Sequence, residues 1–323
     1  QTLNMKKFFK HTIGNVRIVE VGLRDGLQNE THIVPLNVKI ELLKRLSNSG
    51  LKSIEVGSFV SPKWVPQMAD TDKLCSYIKH HKQKNESKRL NTDGINYSVL
   101  TPNLKGVYNA VRYGGVNEVA IFGAASEEFS KKNINCNIEE SLKRFDPVVK
   151  YARHRGMRVR GYVSCVLGCP YSGEVDPEKV AYVTRKMLNM GCYEVSLGDT
   201  IGVGTIGSTS MLLEHLTKNE LISPSVLAAH FHDTHGQALA NISIALQYGI
   251  RVIDSSVSGL GGCPYAGSSA SGNVATEDVL YMLNGSGIET GVNIEKIIDA
   301  SKYIDEVLGR ETSSKVSKSY IKK

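Results

Sequence analysis

Short β-branched apolar runs alternate along the chain with longer amphipathic segments, at a spacing of roughly 30 to 40 residues. This alternation is typical of βα units around a parallel sheet. Eight such units favour closure into a barrel over an open doubly wound sheet. The predicted strands are Val16–Gly22, Ser53–Phe59, Ile95–Thr101, Glu118–Gly123, Arg158–Val166, Tyr193–Asp199, Val226–His232 and Val252–Ser256.

The segments between the strands have apolar residues at helical spacing, and several are followed by a glycine at the expected C-terminal position. The predicted helices are Leu36–Ser47, Leu104–Tyr113, Ile138–His154, Pro177–Met190, Thr209–Leu216 and Ala238–Tyr248, followed by Thr276–Leu283 and Ile294–Leu308. The glycines are Gly50, Gly114, Gly156, Gly191 and Gly249. The polar tail beyond Arg310 is expected to be mobile at its end.

These elements predict an α/β fold, a TIM (β/α)8 barrel with extra C-terminal helices. We expect an N-terminal segment over residues 1–15, a catalytic barrel over 16–290, and a C-terminal helical appendage with a basic tail over 291–323. The 323 residues contain 41% hydrophobic and 22% charged residues, which suits a globular protein with a large core. Because no apolar run reaches the roughly 18 residues of a membrane span, we expect no membrane partner.

The net charge of +7 comes mainly from scattered lysines and from two stretches, Lys79–Arg89 and Arg310–Lys323. It indicates either a solvated surface or attraction for an anionic, phosphate-bearing substrate. A nucleic-acid or anionic-surface binder is the alternative of another class, but neither stretch interleaves aromatic residues with base-reading residues, so no nucleic acid is expected. The six cysteines form no Cys-x-x-Cys pair, which argues against a zinc ribbon and favours a reducing compartment.

Polar residues that can bind a metal or transfer a proton occur near the ends of the predicted strands, where a TIM barrel has its active site. The first strand leads into Arg24-Asp25-Gly26. Other strands contribute Glu55, Arg160, Ser196, Asp199, His230 and His232.

The His230-x-His232 spacing places both imidazoles on one face of a strand, about 7 Å apart. With Asp25 from the first strand and Asn273 from the loop after the eighth, they form a mixed nitrogen and oxygen set suited to Mg²⁺, Mn²⁺ or another divalent ion. The alternative is that both histidines only form hydrogen bonds with their neighbours. His235 is interpreted as a loop residue and not as a third imidazole ligand.

A glycine-rich segment, Gly259–Tyr265, follows the eighth predicted strand. Its glycines could bind phosphate through backbone N–H groups or act as hinges of a lid. Cys263, between Gly262 and Pro264, is placed to act as an acid or nucleophile, or it is a structural cysteine of a flexible loop. The other cysteines are predicted to pack in the core.

Together these motifs resemble the 3-hydroxy-3-methylglutaryl-CoA lyase family of metal-dependent TIM barrels, from about Val16 to Lys315. The segments that carry the resemblance are Arg24–Glu30, Ser58–Trp64, Val257–Tyr265 and Ser271-Gly272-Asn273 with Glu277. The resemblance implies metal ligands at Asp25, His230, His232 and Asn273, catalytic residues at Arg24, Asp25, His230 and Cys263, and supporting or substrate-binding residues at Gln28, Glu55, Arg160, Ser196, Asp199 and Glu277. Arg24 would stabilise enolate charge and Cys263 would carry a proton.

The activity implied by the resemblance is a retro-Claisen cleavage of 3-hydroxy-3-methylglutaryl-CoA to acetyl-CoA and acetoacetate, dependent on Mg²⁺ or Mn²⁺. It further implies an acyl-CoA substrate, a homodimer and the mitochondrial matrix. A Claisen-condensing acyl-CoA synthase on the same scaffold is the alternative enzyme. The chain departs from the family pattern at Leu23 (usually proline), Thr31 (often lysine) and Gly309-Arg310-Glu311 (Asn-Arg-Lys).

Overall fold

The computed structural model describes residues 14–84, 90–262 and 272–321. Eight parallel strands form a closed barrel in sequence order, with the last strand paired to the first. The predicted barrel is therefore confirmed, although most strands are shorter than the apolar runs suggest. The strands are β1 (Arg17–Glu20), β2 (Ser53–Ser58), β3 (Asn96–Leu100), β4 (Glu118–Ala124), β5 (Arg158–Ser164), β6 (Glu194–Asp199), β7 (Leu227–Phe231) and β8 (Val252–Ser255).

Helices surround the barrel, and five of them have the bounds that the sequence predicts. In chain order the helices are α1 (Leu36–Ser47), α2 (Thr71–Lys84), α3 (Leu104–Tyr113), α4 (Glu127–Ile134), α5 (Ile138–His154), α6 (Pro177–Met190), α7 (Ile206–Glu214), α8 (Ala238–Gln247), α9 (Thr276–Gly285), α10 (Ile294–Leu308) and α11 (Lys315–Ile321). Within the part of the chain described, no helix has the length and apolar character needed to cross a bilayer.

The start of α7 differs from its prediction because of a local capping interaction. The Thr205 hydroxyl accepts a hydrogen bond from the Ser208 amide, and the Ser208 hydroxyl in turn accepts one from the Thr205 amide. This reciprocal cap starts the helix at Ile206 and not at Thr209. All five glycines predicted to end helices have positive φ angles, as C-terminal caps require.

Apolar side chains fill the space between the strands and the helices. The barrel interior combines buried charged side chains with a small apolar cluster of Val19, Val21, Ala228 and Val252. Arg160 on β5 bonds to Asp254 on β8, and these two strands are not neighbours, so the contact crosses the interior. The five described cysteines are free and buried, as the core interpretation predicts: Cys75, Cys136, Cys165, Cys169 and Cys192.

The C-terminal region is ordered further along the chain than its polar sequence suggests. Arg310 pairs with Glu30 and Asp305, and the chain then forms α11. Ser314 is fully buried. Short polar side chains can be buried in this way because each finds a hydrogen-bond partner. Residues 322–323 lie outside the described range.

Asp278 fixes the start of α11. Its carboxylate accepts hydrogen bonds from the Ser314 hydroxyl at 2.6 Å, the Lys315 amide at 3.1 Å and the Val316 amide at 2.9 Å. These bonds satisfy backbone donors that a helix start leaves unpaired.

Replacing Asp278 by alanine should therefore lower the free energy of unfolding by about 2 kcal/mol, because the donors of the α11 start lose their acceptor. Urea denaturation followed by circular dichroism measures this change. Asp299→Ala is the matched control, since Asp299 is 66% exposed and pairs with Arg45 at the surface. If Asp278→Ala lowered the free energy of unfolding no more than Asp299→Ala does, Asp278 would not anchor the start of α11.

Candidate active site

The chain leaves β1 through a five-residue π-helical turn, Gly22–Gly26, which contains Arg24 and Asp25. This turn is closely packed. A Cβ at position 22 would lie 2.6 Å from Glu20 Oε1, and one at position 26 would lie 2.7 Å from Ser256 Oγ. A side chain at either position would therefore force neighbouring side chains to move, and the glycines favour this close packing. The turn keeps two consecutive charged residues near the barrel mouth.

The two histidines of β7 and its exit converge with Asp25, as the strand spacing predicts. The ring centroids of His230 and His232 are 5.3 Å apart. Asp25 Oδ2 lies 3.7 Å from His230 Nε2 and 3.8 Å from His232 Nε2. One donor atom of each residue lies within 4.8 Å of the others, so the three could bind a common ion.

Asn273, the fourth predicted ligand, lies beside this cluster. Its amide nitrogen donates to Asp25 Oδ2 at 2.8 Å and to the Leu260 carbonyl at 3.2 Å. In this arrangement Asn273 orients Asp25. Direct ligation would require the amide to turn so that its oxygen faces the three other residues.

Asp254 orients His230 from the interior side and was missed by the sequence analysis. Its Oδ2 is 3.2 Å from His230 Nδ1, so an Nδ1–H donating to the carboxylate leaves the Nε2 lone pair directed at the cluster. Arg160 binds Asp254 with two hydrogen bonds of 2.9 and 2.7 Å, and Ser196 donates to it at 2.8 Å. Arg160 and Ser196 are thus buried supporting residues.

The electrostatics of the cluster favour a cation. Burial alone would raise the pKa of Asp25, but the adjacent Arg24 guanidinium and the two imidazoles hold it well below its usual range. The pKa of Asp254 is likewise lowered, because Arg160 and His230 outweigh its burial. Both carboxylates are therefore ionised at neutral pH, which suits a divalent ion.

Arg24 is held rigidly next to the cluster. Its Nε donates to Glu55 Oε2 at 2.6 Å and its Nη1 donates to Asp25 Oδ1. The Tyr162 ring lies 5.3 Å from the guanidinium carbon, and its hydroxyl donates to Glu55 at 3.2 Å. Glu55 therefore supports Arg24, and Tyr162 is a second site residue that the sequence analysis missed.

A cavity of about 720 Å³ opens above these residues. Arg24, Asp25, Gln28, Tyr162, His230 and His232 contribute to its lining. Its walls include Trp64 after β2 and residues 132–135 at the end of α4, with Lys132 among them. Cys263 lies outside the described residues, but Asn29 donates to the carbonyl of the preceding Gly262 at 2.8 Å.

Asp199 and Glu277 are fully buried and hold loops around the site. Asp199 accepts hydrogen bonds from the Val203 amide at 3.2 Å and the Gly204 amide at 2.8 Å. Glu277 accepts two from the Ser258 amide at 3.0 and 3.1 Å. Ser258 has a φ of 61°, a strained value for a residue other than glycine, at the base of the glycine-rich segment.

Burial raises the pKa of Glu277 from 4.5 to about 8. The folded state therefore binds a proton that the unfolded state releases above pH 4.5, so this residue stabilises the fold least at high pH. We expect the free energy of unfolding to fall between about pH 5 and pH 8, and Glu277→Gln to flatten that slope.

Urea denaturation at a series of pH values tests this expectation. Glu295→Gln, at an exposed position in the first turn of α10, is the matched control and should keep the wild-type slope. An unchanged slope in Glu277→Gln would show that Glu277 does not titrate in this range.

Comparisons with known proteins agree with this geometry. The HMGL-like family profile matches residues 15–304. The chain is 57% identical to a mouse (Mus musculus) protein named 3-hydroxy-3-methylglutaryl-CoA lyase, cytoplasmic, over 94% of this chain and 84% of the mouse protein. It is also 57% identical to the bovine (Bos taurus) hydroxymethylglutaryl-CoA lyase, mitochondrial, over 95% of this chain and 90% of the bovine one.

Among solved structures, hydroxymethylglutaryl-CoA lyase from Pseudomonas aeruginosa superposes with a TM-score of 0.88 at 54% identity. The superposition covers 95% of this chain and 98% of the bacterial one. The chain therefore belongs to the HMGL-like family and is similar to its hydroxymethylglutaryl-CoA lyases along nearly its whole length.

Proposed function

We propose that this protein cleaves 3-hydroxy-3-methylglutaryl-CoA to acetyl-CoA and acetoacetate with the help of a divalent ion. The observation that carries the proposal is the placement of a rigid guanidinium, Arg24, beside the cluster of Asp25, His230 and His232 at the barrel mouth. The names and high identity of the mouse and bovine relatives support the same carbon-carbon lyase activity.

The bond to be broken joins a carbon with a tertiary hydroxyl to the carbon beside the thioester. Cleavage needs a base for the hydroxyl proton and a stabiliser for the enolate. A divalent ion held by Asp25, His230 and His232, with Asn273 beside them, would lower the pKa of that hydroxyl by several units. We propose Mg²⁺ or Mn²⁺ for this role.

Asp25 and His230 are the candidates for the base. His230 could accept the proton only at Nε2, because its Nδ1 proton is bonded to Asp254, so in this role it would not be a ligand of the ion at the same time. The imidazolium would then be stabilised by Asp254, 3.2 Å from Nδ1. Asp254 is itself held by Arg160, so His230 keeps one orientation while it gains and loses charge. A weak base would be sufficient if a bound ion acidified the hydroxyl.

Arg24 would face the negative charge that develops on the thioester oxygen. Because Glu55 and Asp25 hold the guanidinium in place, little reorganisation is needed when the enolate forms. Cys263 would then protonate the enolate carbon, and closure of its segment would exclude water. Gln28 lines the cavity and would contact the substrate.

The compartment and the assembly are also proposals. One relative is named cytoplasmic and another mitochondrial, and we propose the mitochondrial matrix for this protein. We propose a homodimer as the assembly. Size-exclusion chromatography with light scattering would determine the mass in solution.

Removal of the ion should abolish acetoacetate release. In a coupled assay, EDTA should stop turnover and added Mg²⁺ or Mn²⁺ should restore it. His232→Ala should weaken metal binding by more than about tenfold, because one of three converging ligands is lost. His235→Ala is the matched control, since His235 is an exposed loop residue nearby and outside the cluster. Full activity in chelator would contradict a metal-dependent reaction.

Arg24→Lys keeps the positive charge but loses the planar group that bonds to Glu55 and Asp25 together. We expect kcat to fall by at least about a hundredfold, with little change in metal affinity. Steady-state kinetics and metal titration of the same preparation separate the two effects. A variant that lost the ion but kept its rate per bound ion would show that Arg24 has only a structural role.

A further inference from the structure

We propose a second divalent-ion site on the outer surface of the barrel, formed by Glu178, His215 and Glu220. One donor atom of each residue lies within 4.8 Å of the others. The site is separate from the cluster at the barrel mouth and does not depend on the proposed function. It is built by α6 and by the π-helical turn His215–Asn219 that extends α7.

The π-helical turn explains why His215 and Glu220 come together. The Glu220 amide donates to the His215 carbonyl at 2.9 Å, five residues back along the chain. In an α-helix, side chains five residues apart point about 140° away from each other. The wider π turn reduces this angle, so that both side chains reach the same region. Such turns are rare and are often found at functional sites.

Glu178 approaches from the first turn of α6. Its Oε2 lies 3.9 Å from His215 Nε2, which is buried and has no hydrogen-bond partner among the described residues. A buried polar atom without a partner is costly, and a bound ion would remove that cost. The Asn219 side-chain nitrogen lies 3.5 Å from His215 Nδ1 and can donate to the ring in this arrangement. An ion bound at Nε2 would place the ring proton on Nδ1, and the Asn219 amide would then turn so that its oxygen accepts that proton.

The charges of the cluster favour a cation even though a guanidinium is present. Arg185 Nη2 lies 2.5 Å from Glu220 Oε2 and donates to the Glu220 carbonyl at 2.6 Å. Two carboxylates and one guanidinium leave a net charge of −1 around His215. One imidazole with two carboxylates suits Zn²⁺ or a similar first-row ion, whereas Mg²⁺ and Ca²⁺ prefer oxygen ligands throughout.

Zn²⁺ binding to the chelator-treated full-length protein tests the proposal. Equilibrium dialysis with metal analysis gives the equivalents bound and their affinities. His215→Ala should bind one equivalent of Zn²⁺ fewer than His154→Ala, the matched control, because His154 is exposed at the end of α5 and belongs to no ligand cluster of the described residues. Mg²⁺ should not displace this equivalent.

Glu178→Gln is a second variant that keeps the test valid if His215→Ala does not fold. The Glu178 side chain is 74% exposed, so the fold should tolerate the change. We expect Zn²⁺ affinity at the outer site to fall at least about tenfold, since a carboxylate ligand becomes a neutral amide. If His215→Ala and Glu178→Gln bind as many equivalents as His154→Ala with the same affinity, the proposal is overturned.

Discussion

The barrel interior and the candidate site both depend on the buried ion pair between Arg160 and Asp254. The Arg160 guanidinium reaches from β5 to Asp254 on β8 and also bonds to Glu194 on β6, with only 1% of the residue's surface exposed. Removing one partner of such a pair leaves an uncompensated buried charge and costs about 3 to 5 kcal/mol. Charged contacts of Arg160 therefore join β5, β6 and β8 across the interior, beside a small apolar cluster that includes Val19 and Val252, while apolar packing holds the outer layer.

The same pair also orients a residue of the candidate site. Asp254 accepts hydrogen bonds from Arg160, Ser196 and His230, so the position of the imidazole follows from the interior ion pair. A second network joins Arg24, Glu55 and Tyr162. The two networks meet at the Tyr162 ring, which lies 5.3 Å from the guanidinium carbon of Arg24 and 4.9 Å from that of Arg160. The Arg24 guanidinium and the His230 imidazole are thus held in place before a substrate binds.

Local spacing predicted the parts of the structure that depend on neighbouring residues. The alternation of apolar runs predicted eight strands, and the His230-x-His232 spacing predicted the convergence of two imidazoles. Asp254 and Tyr162 were missed because their roles arise from contacts between strands that are distant in sequence. The helices α2, α4 and α11 were also missed. The short α4 and α11 are held by specific polar caps more than by an apolar stripe, and α2 is rich in charged and polar residues.

The π-helical turn after β1 also sets a limit on sequence change. In an extended strand, successive side chains point to opposite faces, so the side chains of Arg24 and Asp25 could not both reach the barrel mouth. The five-residue turn removes this restriction at its present length, and the glycines at both ends let it pack closely against its neighbours. Homologues that share this chemistry are therefore expected to vary in the loops around the cavity while the number of residues in this turn stays constant, so an insertion or deletion there would mark a relative with a different reaction.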